Sequence, residues 1–407
     1  MINSECWRRT SAKETFELIG NHKERFGLER IVDITSLDIT GIPVYLCIRP
    51  RGKLMSLSAG KGLNAIDSIV SAAMESIEID VAERIPLNSY QSLSYESLPI
   101  ERRCEIEKIS FISSAHLSPK TPIDWVEGYE IGSNTCKLLP LELVSMDLET
   151  HVGNLNRFAF GTNGLASSIY HDEAVLSGLY EVIERDTIAC WSAYRLKYPK
   201  ATQFAVDIES IPFEKTSQLI DKISSSGLQI FILQLKNELD IPVFKCHILN
   251  NIDQGRATAS GYGCHHNVEI ALNRAITEAA QGRNCYIAGS REDMLKSRYK
   301  AIDYGYASNY FSQLNIEPVD TPSGDCIITI DQAILDITNK FKERHWSMPI
   351  VYTYPNAHPF SVVKVVCPDL MPTSFSGMTL SHPRSSAFLA PKTKYQSFIE
   401  ILNSFSD

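Results

Sequence analysis

The 407-residue chain has no C-x-x-C pair and no cysteine cluster with the spacing of zinc ligands. Its ten cysteines are dispersed, so free thiols in a reducing compartment are the simplest interpretation. It also has no apolar run long enough to span a membrane, and its polar start lacks the core of a signal peptide. These absences predict a cytoplasmic protein that relies on neither disulfides nor structural zinc.

Positive charge is not in excess either. The formal net charge is −9 and the pI is about 5.6, so there is no broad basic surface and nucleic acid is not the expected partner. We find no tandem repeat and no low-complexity tract. With 44% hydrophobic residues the chain can bury a large core. Its motifs are spread over the first three quarters, which favours one catalytic domain over residues 1–407 rather than several domains.

What the chain does have is acidic side chains in helical register. In the stretch NGLASSIYHDEAVLSGLYEVIERDTIACW, apolar residues recur at helical spacing around Glu173, Glu181 and Glu184. At 100° per residue, Glu181 and Glu184 fall within roughly 80° and 20° of Glu173. Like charges on one face repel one another. Magnesium would supply the missing positive charge.

A second run, SIVSAAMESIEID, places Ser71, Glu75 and Glu78 on one helical stripe opposite an apolar face. A solvated acidic face would explain either helix alone. Two such helices in one chain instead favour a magnesium–phosphate site, because separate elements usually contribute the hard oxygen ligands of such a site.

A third helix carries Arg274, Glu278 and Gln281 at relative positions 0, 4 and 7. It is followed by a Gly289-Ser290-Arg291 turn, which could aim a planar guanidinium at a phosphate.

Two other motifs have simpler explanations. The segment SAGKGLN lacks the spacing of a Walker A loop, and we interpret it as a turn, although Lys61 could still approach a phosphate. Cys264-His265-His266 could suggest metal or nucleophilic chemistry. Its position directly before the third helix favours a role in loop geometry.

The overall pattern predicts a mixed α+β protein. The predicted strands are Ile42–Ile48, Gln229–Leu235, Ile241–Leu249 and Val362–Cys367, and the predicted helices are Ile66–Glu83, Asp172–Arg195, Asn267–Ala288 and Ile328–Arg344. Surface connections are predicted at the Pro- and Ser-rich segments Pro86–Pro99, Pro119–Pro122 and Pro318–Gly324.

The pieces SLDITGIPVYLCIRP, SAAMESIE, NGLASS, EAVLSGLYEVIERD, ALNRAITEAAQGR and AGSRED occur in the order seen in YcaO proteins. The chain resembles that family from about Trp7 to Asp293 and matches it more loosely afterwards. The resemblance implies a YcaO-type α+β fold and ATP- and Mg²⁺-dependent phosphorylation of a backbone amide oxygen in a peptide.

On the third-helix pattern, for Glu278 and Gln281, and on this resemblance, for the others, we assign roles to twelve residues. The catalytic residues are Glu184, Glu278, Gln281 and Arg291, the nucleotide-binding residues are Arg8, Thr15, Ser71, Glu173 and Arg185, and the magnesium ligands are Glu75, Glu78, Glu181 and Glu184. One position departs from the family pattern, since Ile169 stands where the family usually has a nucleotide-binding Asn. Either Ser167, Ser168 or Tyr170 replaces that contact, or ATP binds less tightly, or activity depends on a partner.

The resemblance further implies a ribosomally made precursor peptide as substrate, with azoline or thioamide formation as the outcome. Azoline-forming members often end in a Pro-rich tail, whereas this chain ends NSFSD. The opening SLDITGIPVYLCIRP looks more like the stand-alone and TfuA-associated members, which favours thioamidation. Possible partners are a TfuA-like or an adenylating-enzyme-like protein, and a homodimer is implied. The alternatives are an accessory factor in ribosomal-protein modification and a non-catalytic peptide-binding protein.

Overall fold

The computed structural model describes residues 7–86, 90–112, 118–147, 157–158, 161–198, 204–250, 258–290, 309–321, 329–372 and 380–384. The helices within these ranges are α1 Ala12–His22, α2 Ala65–Ala82, α3 Leu141–Val144, α4 His171–Lys197, α5 Glu214–Ser225, α6 Val268–Ala288 and α7 Ile330–Glu343. None of them is both long and apolar enough to cross a membrane.

The strands in the same ranges are β1 Arg30–Asp33, β2 Val44–Ile48, β3 Leu57–Lys61, β4 Tyr90–Ser94, β5 Phe111–Ile112, β6 Pro122–Glu130, β7 Cys136–Pro140, β8 Leu165–Ser168, β9 Phe204–Val206, β10 Gln229–Leu235, β11 Val243–Leu249, β12 Thr258–Cys264, β13 Asn315–Glu317, β14 Ile350–Thr353, β15 Ser361–Val366 and β16 Leu380–Ser381. Helices and strands are interspersed along the chain, which confirms the predicted mixed α+β class.

Three sheets carry most of the described strands. Strands β1–β2–β3 and β10–β11–β12 form two antiparallel sheets, and a six-stranded sheet has the order β4–β6–β14–β15–β8 with β7 beside β6. Strand pairs β9–β13 and β5–β16 are separate. Helix α2 packs on β2 and β3, α4 on β8 and β15, and α6 on β11 and β12. Each sheet therefore supports one of the three helices that carry the clustered carboxylates.

Two glycines allow this close packing. A Cβ on Gly60 of β3 would lie 2.0 Å from the carbonyl oxygen of Ser68 in α2. A Cβ on Gly178, within α4, would lie 2.6 Å from a methyl carbon of Val365 in β15. Glycine weakens a helix interior by about 1 kcal/mol relative to alanine. Here it lets the helix lie directly against the strand.

Local signals explain where the principal helices begin. Asn64 caps α2 and Asn267 caps α6, each accepting a backbone N–H of the first turn through its side chain. Helix α6 ends at Gly289, whose φ of 62° is the left-handed conformation that glycine adopts without a steric penalty. Capping boxes begin α1, at Ser11 and Glu14, and α7.

The predicted helices and strands lie within one to two residues of the observed ones where the structure describes them. Several others were missed. Helices α1 and α5 and most of the short strands were not predicted, and Pro86–Pro99 is not only a surface connection because it contains β4. The part of Pro318–Gly324 beyond residue 321 lies outside the described residues.

Segment SAGKGLN was predicted as a turn, and that prediction was wrong. Residues Leu57–Lys61 form strand β3, paired with β2, and the chain enters α2 only after Asn64. The glycines that suggested a turn instead serve the contact between this strand and α2.

A buried ion pair joins the first sheet to α6. The guanidinium of Arg283 donates to both carboxylate oxygens of Asp38, with Nη2 2.8 Å from Oδ1 and Nε 3.0 Å from Oδ2. Both residues are less than a tenth exposed. Removing one partner would leave the other charge buried and uncompensated.

We expect Asp38→Leu to lower the free energy of unfolding by about 3–5 kcal/mol, as is typical when a buried pair loses one member. The double variant Asp38→Leu/Arg283→Met should be more stable than Asp38→Leu, because it leaves no unpaired charge. Urea denaturation measures both. The exposed Lys236–Asp320 pair is the control, and Asp320→Ala should cost no more than about 1 kcal/mol. A double variant as unstable as the single would contradict this account.

Candidate functional site

A cavity of about 1330 Å³ lies where α2, α4 and α6 meet β3, β8 and β15. Eleven of the twelve residues assigned from the sequence line it: Arg8, Thr15, Ser71, Glu75, Glu78, Glu173, Glu181, Glu184, Arg185, Glu278 and Gln281. The twelfth, Arg291, lies outside the described residues. The structure thus brings together side chains from three helices and the N-terminal segment, while their individual roles stay predictions.

Glu78 of α2 faces strand β8. The Ser167 hydroxyl donates to Glu78 Oε1 at 2.7 Å. The pKa of Glu78 is raised to about 8, chiefly by burial and also by the neighbouring charges of Glu75 and Glu181, against the opposing effect of the Ser167 hydrogen bond. These three carboxyl groups therefore lie close enough to interact electrostatically although they come from two helices.

Glu173, in the first turn of α4, is held by the N-terminal segment and by β8. Its carboxylate accepts from the Ser168 hydroxyl at 2.6 Å, from the Arg9 backbone N–H at 2.8 Å and from Arg8 Nη1 at 3.5 Å. Arg8 also donates to Ser177 Oγ at 3.1 Å. Glu173 is only 3% exposed. Its contacts attach the N-terminal segment to the cavity wall.

Further along α4, Glu184 and Arg185 lie close enough to Glu278 of α6 to interact with its charge. Arg185 lies 3.8 Å from a carboxylate oxygen of Glu181 and 3.8 Å from one of Glu184. Burial raises the pKa of Glu181, and it raises that of Glu184 to about 7 together with the charge of Glu278. The pKa of Arg185 is raised because these carboxylates outweigh the effect of its own burial.

Lys61, at the end of β3, forms an ion pair with Glu278. Burial opposes the ionisation of Glu278, but Lys61 and Arg185 outweigh it and lower the pKa of this carboxyl. Gln281, one turn further along α6, donates to the carbonyl oxygen of Ala59 in β3. The amide of Gln281 and the carboxylate of Glu278 thus link α6 to β3.

Several cavity residues were not among the twelve assigned from the sequence. Ser167 and Ser168 bind carboxylates directly, and Arg274 lines the cavity beside Glu278. Lys364 of β15 also lines it, and burial lowers its pKa to about 8 while Glu181 opposes that shift. A lysine inside the otherwise apolar run SVVKVV was a signal that could have identified this residue.

The donor set fits magnesium shared with a nucleotide. Among the described residues, the lining includes six glutamates and Asp67 against five lysines and arginines, so negative charge is in excess. In the same ranges, no three His, Cys, Asp or Glu side chains converge as a complete metal cage. Magnesium usually takes one or two carboxylates together with phosphate oxygens and water. An all-oxygen set spread over facing helices is therefore suited to a metal bound through phosphates.

Ile169 also lines the cavity. Of the three residues proposed to replace its missing polar contact, Ser167 and Ser168 line the cavity but give their hydroxyls to Glu78 and Glu173. Tyr170 is 41% exposed and lies under the Arg9 guanidinium, 5.0 Å from it. The two serines are thus the polar side chains of this strand at the cavity, and their bonds would have to rearrange to contact a ligand.

The Cys264-His265-His266 cluster has structural contacts. Cys264 is fully buried, and burial raises the pKa of its thiol well above the usual range, which disfavours the thiolate. His266 bonds the hydroxyl of Tyr180 at 2.7 Å and the carboxylate of Asp336 at 3.0 Å. The cluster therefore fixes the start of α6 against α4 and α7.

The variant Glu78→Gln tests how much an ionised Glu78 lowers the stability of the folded protein in the absence of metal. The folded protein holds the Glu78 proton more tightly than the unfolded chain, because its pKa rises from 4.5 to about 8. The resulting stabilisation is fully present below pH 4.5 and is lost as the pH rises through about 8. Chemical denaturation with a chelator should therefore show Glu78→Gln more stable than wild type at about pH 9 and nearly equal to it at about pH 5.

The exposed Glu343 provides the matched control, since Glu343→Gln should bring no pH-dependent gain. An equal effect of Glu78→Gln at both pH values would contradict the electrostatic description of the cavity.

Comparison with known proteins agrees with this geometry. The family model for YcaO cyclodehydratases, described as binding ATP and Mg²⁺, matches residues 59–371. A protein from the tfuA 3′ region of Rhizobium leguminosarum bv. trifolii is 31% identical over 379 residues, covering 89% of this chain and 88% of its own. A protein of Methanothermobacter thermautotrophicus is 29% identical over 324 residues, covering 78% of this chain and 80% of its own.

Solved structures share the fold. The YcaO protein of Methanopyrus kandleri bound with AMPPCP and Mg²⁺ superposes with a TM-score of 0.69 at 21% identity, covering 89% of this chain and 92% of its own. A heterocyclase in complex with substrate and cofactor gives a TM-score of 0.71 at 19% identity and covers 90% of this chain. The present chain corresponds to 53% of that heterocyclase.

Proposed function

The chain belongs to the YcaO family, which is described as binding ATP and Mg²⁺, and on that premise we propose that it phosphorylates a backbone amide of a peptide. The observation that supports this proposal most strongly is the cavity shared by α2, α4 and α6, which is lined by six glutamates and five cationic side chains. A triphosphate with its metal matches that mixture, because the carboxylates can bind the metal while arginine and lysine contact the phosphates.

Phosphoryl transfer would activate an unreactive bond. The amide oxygen attacks the γ-phosphorus of ATP, the bond to the β-phosphate oxygen breaks and ADP leaves. The amide carbon then carries a phosphate, which is a far better leaving group than oxide. Bound magnesium supplies charge neutralisation at the triphosphate. Arg185, Lys61 and Arg274 line the cavity and stabilise the remaining negative charge of the transferring group.

A nucleophile then adds to the activated carbon and phosphate leaves with the former amide oxygen. If hydrosulfide adds, the product is a thioamide. If a Cys, Ser or Thr side chain of the peptide adds, it gives up its own thiol or hydroxyl proton, and loss of phosphate and of the amide proton then gives an azoline. We favour thioamide formation, since the Rhizobium relative is encoded in a tfuA region. By the same argument, a TfuA-like protein is the proposed partner and a ribosomally made peptide the proposed substrate.

Replacement of Glu184 tests the catalytic proposal. Glu184→Gln keeps the shape of the side chain but removes its charge, so we expect magnesium-dependent ATP hydrolysis to fall by about 100-fold or more. The assay measures phosphate release by purified protein, alone and with short peptides encoded beside the gene. Glu343→Gln changes an exposed glutamate on α7 and should leave the rate unaltered. Full activity in Glu184→Gln would refute the assignment.

Ile169 supports a second candidate, in which the fold serves as a non-catalytic peptide-binding partner. The Ile169 side chain lines the nucleotide cavity and cannot donate or accept a hydrogen bond. If the proposed enzyme is active, Ile169→Asn should change the affinity for ATP by no more than about tenfold, the range of one hydrogen bond. Calorimetric titration with Mg²⁺ and a non-hydrolysable ATP analogue measures this. No binding by wild type, restored in Ile169→Asn, would favour the non-catalytic candidate.

A further inference from the structure

The face of α4 that carries Glu184 continues past the cavity. Ile188, Trp191 and Arg195 follow at steps of four, three and four residues, which keeps them on one side of the helix. Glu184 and Ile188 line the cavity, and Trp191 and Arg195 extend the same stripe beyond it. The β10–β12 sheet packs against this part of α4.

Tyr262 and Lys245 face the stripe from the sheet. They are directly opposite each other on β12 and β11, so their side chains lie on one face. Tyr262 lines the cavity, and Lys245 Nζ lies 5.5 Å from the centre of the Tyr262 ring. The same ammonium lies 4.5 Å from the Trp191 ring. Lys245 is therefore one side chain away from the cavity, between two aromatic faces.

The Lys245 side chain is half-buried, and its ammonium contacts the rings of Trp191 and Tyr262. Within the described part of the chain, no carboxylate or carbonyl oxygen accepts a hydrogen bond from it. Burial lowers the pKa of Lys245 to about 8, and the charge of Arg195 adds to that effect. Aromatic faces attract a cation but replace its lost hydration only in part. A negatively charged ligand would complete the coordination of this group.

The other cations near the cavity wall contrast with Lys245. Arg185 is close to two glutamates, and Lys61 is paired with Glu278. Both cations therefore have carboxylate partners within the cavity. Lys245, by contrast, forms no ion pair with a carboxylate of the described residues and contacts the Trp191 and Tyr262 rings instead. It lies behind Tyr262, outside the cavity that the proposed function assigns to the nucleotide.

We propose that Lys245, Trp191 and Tyr262 form an anion-binding subsite that takes a negatively charged group of a reactant other than ATP. This inference rests on the proposed function. Two reactants offer the required chemistry, namely an acidic group of the peptide and the hydrosulfide nucleophile. Lys245 contacts the anion through charge and hydrogen bonds, while the rings exclude water. The anion is thereby held beside a cavity whose net negative charge would otherwise repel it.

Direct binding tests the subsite without ATP turnover. The probes are sodium hydrosulfide, sodium acetate and a short acidic peptide, with acetamide as the neutral counterpart. The readout is the fluorescence of Trp191, obtained as the difference between the wild type and Trp191→Phe, because an anion at Lys245 changes the charge next to that ring. We expect saturable binding of at least one anion and none of acetamide.

The variants separate charge from shape. Lys245→Met should weaken anion binding by about tenfold or more, the effect of losing one charge-assisted hydrogen bond. Lys245→Arg should retain most of the affinity, because it keeps the charge. Lys236→Met is the matched control, because this exposed lysine directly follows β10 and pairs with Asp320. The Lys236→Met variant should bind anions as the wild type does. Circular dichroism verifies that each variant is folded.

The outcomes distinguish the two sources of the anion. Binding of hydrosulfide alone would assign the subsite to the nucleophile, and binding of acetate and the acidic peptide alone would assign it to the peptide. Either result supports the proposal. No saturable binding of any anion, or equal affinity in Lys245→Met, would overturn it. Since the assay contains no ATP, failure here leaves the proposed phosphorylation intact, and failure of ATP hydrolysis leaves this result intact.

Discussion

The constraint on which this structure depends is the convergence of carboxylates from three helices in one cavity. Glu78 comes from α2, Glu181 and Glu184 from α4, and Glu278 from α6. Like charges brought together in a partly buried space repel one another, and burial already disfavours their ionisation. The raised pKa of Glu78, Glu181 and Glu184 expresses that cost. The folded chain tolerates it for a site that a metal-bound nucleotide would complete.

The surrounding contacts distribute this charge. Ser167 donates to Glu78 and Ser168 to Glu173, while Lys61 and Arg185 lie next to the glutamates of α4 and α6. Gly60 and Gly178 let α2 and α4 lie directly on their strands. The helices are thus held by close packing on their strands, whereas the carboxylates at the cavity are held by polar contacts that a ligand could replace. This division suits a site that has to accept and release a charged ligand.

The sequence was most informative about the helices. Periodicity alone placed α2, α4 and α6 to within a residue or two, and the spacing of their glutamates predicted which faces meet at the cavity. It was least informative where contacts between distant segments decide the structure. Strand β3 resembled a turn because its glycines reflect the packing of α2. The bond of Ser167 to Glu78 and the contact of Lys245 with Trp191 join residues far apart in the chain, and periodicity carries no information about them.

The proposed function makes one central chemical claim, that the oxygen of a peptide amide becomes a phosphate oxygen. The most direct test is to measure whether that oxygen is transferred to phosphate. A short peptide encoded beside the gene, prepared with ¹⁸O in its backbone carbonyls, is incubated with the protein, Mg²⁺ and ATP, and the released phosphate is examined by mass spectrometry. The account predicts one ¹⁸O atom in the phosphate for each modified amide. Modified peptide formed with unlabelled phosphate would contradict it.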